Sequence, residues 1–327
     1  MTEFNLISRH FSNVGADNEY IALGVGDDAA LLNSIPVGYQ LVFSIDTMLA
    51  GVHFPDSTPP HAIGYKALAV NLSDMAAMGA TPVCCLLALT LPEADDAWCA
   101  EFAKGMHELA SRFGVKLVGG DTTRGPLCVS IQITGLVPEG SALTRSGAQV
   151  GDTLYVSGPI GNAGAGLKCV QDAVNIGKRY SNNFVQALNY PEPQVQLGEL
   201  LRNVASSAID ISDGLYQDLG HICEQSHCGA MIELPNLPID PELVEFLEGA
   251  SVGEFALQSG DDYQLLFTIP QARQYEFDSV CESHNLKCTA IGKITDGDGV
   301  QLFDVNNQSV TLELSGYQHF VIGGDDV

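Results

Sequence analysis

Basic residues are scarce. Only 14 Lys and Arg stand against 40 Asp and Glu in 327 residues, a formal net charge of −26. Nucleic-acid binding draws on Lys and Arg at the phosphates, so no nucleic-acid partner is expected. If such a chain handles phosphates, metal ions must supply most of the positive charge. Long apolar runs are missing too. The longest, "PVCCLLALTLP" at 82–92, is far too short to span a bilayer, so no membrane partner is expected. The opening "MTEFNLISRHF" has no basic stretch followed by an apolar one, and the expectation is a cytoplasmic location. The nine cysteines are odd in number and contain no C-x-x-C, which reads as reduced, mostly buried thiols. There is no G-x-x-x-x-G-K-[ST], so a Walker-type nucleotide site is excluded. "SIDTM" lacks the first Asp of the aspartyl-phosphate motif D-x-D-x-T, because Ser44 stands there. No Ser–His pair or acid–base His stands out.

What remains is a compact α/β pattern. Hydrophobic residues make up 46% and charged ones 17%, which fits buried cores rather than disorder. The length favours two domains. "YQLVFSIDT" (39–47) alternates as a strand, Tyr39, Leu41, Phe43 and Ile45 facing one way and Gln40, Val42, Ser44 and Asp46 the other. A mostly apolar helix covers 61–80 and closes near Gly79. A buried strand follows at 83–91, an amphipathic helix at 95–114, and strands at 115–120 and 128–137. The turn-rich "PEGSALTRSGAQVGD" (138–152) marks the boundary between a first domain, 1–140, and a second, 150–327. The second pattern begins with a strand at 153–158. It continues through helices near 164–177 and 192–207, then "SAIDISDGL", "GAMIEL", "DYQLLFTIP" and a last strand near 309–314. "VNLSDM" and "IDISDG" echo each other weakly.

Aspartates gather where chemistry concentrates. "GVGDDAALL" (24–32) sets Asp27 beside Asp28 in a frame of glycine and aliphatic residues. Asp46 ends a strand, Asp121 follows one in "VGGDTTRG", Asp210 and Asp213 sit in "AIDISDG", and Asp261 and Asp262 in "SGDDY". Each alone is compatible with a turn or a helix cap. Asp74 is not, because Leu68, Val70, Leu72, Met75 and Met78 surround it in an apolar helix, with Asn71 on its face. A charge there needs a cation or a donor. Oxygen-only ligands suit Mg²⁺, which binds through a few carboxylates plus substrate phosphates, so several Mg²⁺ ions with ATP are the natural occupants. Asp28 is the expected ligand, and Asp27 is expected to shape the loop through backbone N–H groups. "SGPIGNAGAGLK" (157–168) reads as a tight turn or a phosphate cap. Arg145 reads as a surface ion pair or a phosphate fork. His221, Cys223, His227 and Cys228 offer a zinc reading, against that of an amphipathic helix end with Cys223 on its apolar side.

"GVGDDAALL", "SIDTMLAGVHF", "YKALAVNLSDMAAMGA", "GGDTTRGP", "ALTRSGAQVGD", "IDISDGLYQDLGHI", "SGDDYQLLF" and "GYQHF" together resemble the thiamine-monophosphate kinase family. The match runs in order from about residue 4 to 320. The resemblance implies the α/β fold of aminoimidazole ribonucleotide synthetase, with two domains and a homodimer formed through the N-terminal sheets. It implies ATP-dependent phosphorylation of thiamine monophosphate to thiamine diphosphate, with Mg²⁺. Asp28, Ser44, Ile45 (through its backbone carbonyl), Asp46, Asp74, Asp121, Asp210 and Asp213 match the family's metal ligands. Gly120, Asp121, Arg145 and Ser212 match ATP contacts. His53, Asp261 and Tyr317 match substrate contacts. Asp261 stands where the family usually has Glu, and Gln264 at the last position of that motif. The acceptor is itself a phosphate, largely deprotonated at neutral pH because its second pKa is about 6, so no residue is expected to act as general acid or base. Two alternatives stay open: a ligase of the same fold, of the aminoimidazole ribonucleotide or selenophosphate type, and a non-catalytic nucleotide sensor. The selenophosphate type needs a reactive Cys near the N-terminus, and the first here is Cys84.

Overall fold

The computed structural model describes residues 3–171, 178–248 and 251–312. The chain forms two compact units, one of residues 1–143 with 189–203, the other of 144–188 with 204–327. The first crossing falls inside the turn-rich 138–152 stretch. The return of 189–203 to the first unit was not expected, although Pro191 and Pro193 stand near its start.

In the first unit, α1 (Glu3–Leu6) runs into a π-helical turn, Ile7–Phe11. Strands β1 (Ile21–Leu23) and β2 (Leu31–Leu32) form a short antiparallel hairpin with "GVGDDAA" between them. β3 (Tyr39–Leu49), β4 (Thr81–Leu91), β5 (Lys116–Arg124) and β6 (Cys128–Pro138) make a sheet in the order β3-β6-β4-β5, with only β4–β5 parallel. Helices α2 (Pro60–Ala77) and α3 (Asp96–Arg112) pack on each other, and α2 also packs on β3 and β6. Pro60 opens α2 at a position whose N–H has no helical partner, and Gly79, at φ 61°, closes it. α3 is capped by Asp95, whose carboxylate accepts from Ala97 N–H at 2.9 Å and Trp98 N–H at 3.1 Å. The backbones of α2 and α3 nearly touch. A Cβ on Gly64 would lie 2.0 Å from the Phe102 carbonyl oxygen, and one on Gly105 would lie 2.0 Å from that of His61. α2 is buried almost all round, which explains its nearly uniform apolar sequence.

Asp46 and Asp121 depart from their expected places. β3 runs on to Leu49 and β5 starts before and ends after "GGDTT", so both aspartates are strand residues rather than strand ends. Long antiparallel pairing of β3 with β6, from Tyr39–Pro138 to Leu49–Cys128, holds Asp46 inside the ladder. The alternation of β3 also has an unforeseen outcome. Ser44, Asp46 and Met48 turn towards α2, while the apolar set is left open: Phe43 is 63% exposed and Ile45 65%.

The second unit holds a seven-stranded sheet in the order β13-β12-β9-β11-β7-β10-β8, with β9–β12 its parallel pair. The strands are β7 (Thr153–Val156), β8 (Ser207–Asp210), β9 (Gly229–Glu233), β10 (Leu265–Ile269), β11 (Thr289–Thr295), β12 (Gly299–Phe303) and β13 (Ser309–Val310). Helices α4 (Asn162–Gln171), α5 (Lys178–Asn189), α7 (Leu215–Ser226), α8 (Pro241–Phe246), α9 (Val252–Gln258) and α10 (Gln274–His284) belong to it, whereas α6 (Val195–Leu201) packs on α2 in the first unit. α6 replaces the longer helix expected over 192–207, since β8 begins at Ser207; α5 was not anticipated. The Ser-Asp echo is no repeat, as Ser73–Asp74 is helical and Ser212–Asp213 lies in a loop.

Candidate active site

Within the first unit, one cavity of about 1030 Å³ gathers several expected residues. Asp27 and Asp28 border it from the β1–β2 hairpin, Gly119 to Thr122 from β5, and Phe43, Leu86 and Gln132 from the open sheet face. Asp27 Oδ1 accepts the Asp28 N–H at 2.8 Å, so Asp27 braces the turn and leaves the Asp28 carboxylate exposed at the cavity. On β5, a Cβ on Gly120 would fall 1.8 Å from the Leu87 carbonyl oxygen, at a φ of 150°. Only glycine lets β5 lie that close to β4. The register sets Asp121 opposite Ala88, on the open side, and Asp121 Oδ1 accepts the Thr122 N–H at 3.0 Å.

Ser44, Asp46 and Asp74 lie on the other side of the sheet. The Ser44 hydroxyl donates to Asp74 Oδ2, which supplies the donor that a carboxylate in an apolar helix requires. Asp46 shares the face of Ser44 by strand alternation. Ile45 points its side chain to the open side, so only its carbonyl is available as a ligand. Beside Asp74 on α2, Asn71 is fully buried; its amide donates to the Ala67 carbonyl at 3.0 Å, and its Oδ1 has no hydrogen-bond partner. His53 Nδ1 accepts the Leu49 N–H at 3.0 Å and closes the turn after β3.

The second unit joins two further motifs. The "ISDG" and "SGDDY" loops are tied by Asp261 N–H to Ser212 C=O at 2.9 Å and Tyr263 N–H to Ile211 C=O at 2.8 Å. Asp261 and Tyr263 both adopt positive φ, 66° and 48°, costly conformations for residues other than glycine, and the Tyr263 hydroxyl donates to Asp261 Oδ1 at 3.0 Å. Asp210 ends β8 and is buried. Asp213 accepts from the Gln217 amide at 3.0 Å. Gln264 accepts from the Ser157 hydroxyl at 2.8 Å, an internal role. Arg145 is exposed, and among the described residues its guanidinium joins no ion pair. Tyr317 lies outside the described residues.

Two aspartates hold this region from within: Asp218, which nothing in the sequence singles out, and Asp262, which the sequence groups with the acidic set. Asp218, in the first turn of α7, is 2% exposed and accepts from three successive N–H groups. Burial, then the charges of Asp210 and Asp213, push its carboxyl up to about 8. Asp262 accepts from Gly161 N–H at 2.6 Å and Ala163 N–H at 3.3 Å, and burial pushes it up to about 7. The glycine-rich 157–168 segment is therefore a tight turn whose helix start is already capped by a carboxylate of the same chain.

Zinc finds no support at Cys223 and Cys228, both buried, with burial pushing the Cys223 thiol up to about 12. None of the nine cysteines is in a disulfide. Cys84 is buried in β4 and its thiol is raised by burial, so it offers no reactive nucleophile. Among the described residues no three His, Cys, Asp or Glu side chains form a closed metal site, and no helix is long and apolar enough to cross a membrane. Every expected donor is an oxygen, the ligand type Mg²⁺ takes, and Mg²⁺ keeps waters and completes its shell with phosphate oxygens instead of a protein cage.

Comparison with known proteins gives a consistent answer. The AIR synthase related N-terminal domain matches residues 26–137 and the C-terminal domain matches 149–305. The thiamine-monophosphate kinase of Escherichia coli K12 is 43% identical over 320 residues, covering 97% of this chain and 98% of that protein. The crystal structure of the thiamine-monophosphate kinase of Stenotrophomonas maltophilia superposes with a TM-score of 0.82 at 43% identity, over 88% of this chain and 92% of that one. The structure of AaThiL complexed with AMPPCP and TMP gives a TM-score of 0.78 at 31% identity, over 90% and 92%. The chain belongs to the thiamine-monophosphate kinase family and is built on two AIR synthase related domains.

Proposed function

We propose that this chain transfers the γ-phosphoryl group of ATP to the phosphate of thiamine monophosphate, giving thiamine diphosphate and ADP. The observation that carries this reading is the near-full-length match to thiamine-monophosphate kinases. A cavity bordered by Asp28, Gly120 and Asp121 supports it from the structure. A phosphate oxygen of thiamine monophosphate attacks the γ-phosphorus, a new P–O–P linkage forms, and the bond to the β–γ bridging oxygen breaks as ADP leaves. The attacking oxygen is already deprotonated at neutral pH, so the protein needs no base. Its residues position and exclude instead.

Gly120 and Asp121 contact ATP, with Arg145 as a fork on its phosphates and the Ser212 hydroxyl as a further contact. Asp28, Ser44, the Ile45 carbonyl, Asp46, Asp74, Asp121, Asp210 and Asp213 are the oxygen donors for Mg²⁺. Those ions supply, when bound, the positive charge that a chain of net charge −26 lacks. His53, Asp261 and Tyr317 contact thiamine monophosphate, Asp261 offsetting the thiazolium charge and Tyr317 stacking on it. The first unit serves nucleotide binding and dimerisation. A homodimer covers the open apolar face of the β3-β6-β4-β5 sheet. A reducing cytoplasm suits nine cysteines without a disulfide. Incubation with ATP, Mg²⁺ and thiamine monophosphate yields thiamine diphosphate, and a chelator stops it. Absence of thiamine diphosphate from the complete mixture sinks the reading.

A further inference from the structure

Three amide groups in a row, those of Ser212, Asp213 and Gly214, point at one atom, Oδ2 of Asp218, at 3.1, 3.2 and 3.2 Å. They lie at the start of α7, and Gly214 at φ 123° is the residue that lets the loop curl around the oxygen. Successive N–H groups before a helix make a nest that takes an anion from outside, commonly a phosphate. Here the nest is filled from within, by a carboxyl oxygen of the same chain. Asp218 is 2% exposed, so the nest is closed to solvent. A loop that would attract phosphate through its backbone instead shows the outside only its side chains.

We propose that Asp218 is a positioning residue for the nucleotide loop. It fills the amide nest, so the loop meets the nucleotide with the Ser212 hydroxyl and the Asp213 carboxylate rather than with N–H donors. The loop is thereby converted from an anion-binding element into a cation-binding one. This inference rests on the kinase reading above, in which Ser212 contacts ATP and Asp213 is a metal donor. A residue that only stabilised α7 would hold one amide at the helix start. Convergence of three on one oxygen fixes the conformation of Ser212 and Asp213 themselves.

The test compares Asp218→Ala, which empties the nest, with Asp218→Asn, which keeps an acceptor oxygen. Calorimetric binding of AMPPCP is measured in the full chain across a Mg²⁺ series, and KM is measured separately for ATP and thiamine monophosphate. Asp218→Ala is expected to weaken Mg²⁺-dependent AMPPCP binding by about tenfold or more, to raise KM for ATP in parallel, and to leave KM for thiamine monophosphate within about twofold, with Asp218→Asn recovering most of the loss. Wild-type AMPPCP binding and Mg²⁺ dependence in folded Asp218→Ala would overturn the proposal, as would equal rises in both KM values. Should both variants fail to fold, amide hydrogen exchange over 212–214 in the wild type decides. Protection without nucleotide is expected, and free exchange overturns the proposal. If the wild type makes no thiamine diphosphate, the kinase reading falls, while AMPPCP binding and exchange still judge Asp218.

Discussion

At the scale of single residues, the question is what each carboxylate does with its charge. Asp27 spends it on a backbone N–H and Asp74 on a serine hydroxyl. Asp218 and Asp262 give theirs to loop amides. Asp28 and Asp121 border the cavity. Asp46→Asn and Asp121→Asn should each lower turnover by at least about a hundredfold, because a lost charge on a metal donor removes transition-state stabilisation. Far-UV circular dichroism and melting should show the fold intact. Retained activity in a purified variant would count heavily against the metal reading. Asp262 gives a prediction about pH. Burial raises its folded carboxyl to about 7, above the ordinary value of 3.8. The contribution is present below pH 4, where both states are protonated, and is lost as pH rises towards 7 and the unfolded state alone ionises. Urea midpoints should therefore fall between about pH 4 and 7 by this group's action. A midpoint rising across that window would contradict its assignment. Asp28, Asp46, Asp74 and Asp121 were legible as acids in unusual company. Asp218 was not, since its partners are backbone amides that carry no sequence identity.

Elements follow their patterns closely where one face is dry. α2, α3, β3, β4 and β6 were all legible, because burial imposes a period that composition preserves. β5 was read too short. Its "GGDTTR" segment has the composition of a turn, yet pairing with β4 from Leu86 to Leu91 keeps it extended. The glycines that look like breakers are contact points. Gly105→Ala should cost about 1–3 kcal/mol in chemical denaturation, because the new methyl meets the His61 carbonyl and forces α3 off α2. An unchanged midpoint would mean that the two helices separate without penalty. α6 was misjudged for a different reason. Its seven residues, Val195–Leu201, take their place from Gly198, where a Cβ would lie 2.1 Å from the Ala76 carbonyl oxygen.

The whole molecule leaves one feature unfinished in a single chain, the open apolar face of the first sheet. Leu41, Phe43, Ile45 and Leu86 are each at least 37% exposed. A contiguous apolar sheet face of this kind fits the proposed homodimer. Sedimentation should give a dimer, and Phe43→Asp should shift it to monomer by placing a charge in the buried centre. A wild-type monomer at micromolar concentration would remove the dimer from the reading. The strong acidity also belongs to this scale. Chelation should abolish nucleotide affinity as well as turnover, since ATP otherwise meets a chain of net charge −26.

The sequence by itself determined the chemistry on offer, many oxygen donors and few cations, for which phosphate handling through metal ions is the proposed use. It also determined the two-domain α/β build and, through its motifs, the family. Tertiary structure decided which donors share a side. Ser44 and Asp46 turn to α2 while Asp121 turns to the open cavity, a choice made by strand register, which no single strand contains. It also decided which acids work inward. The roles of Asp218 and Asp262 exist only once the fold brings backbone amides to them, and amides are the same in every residue but proline.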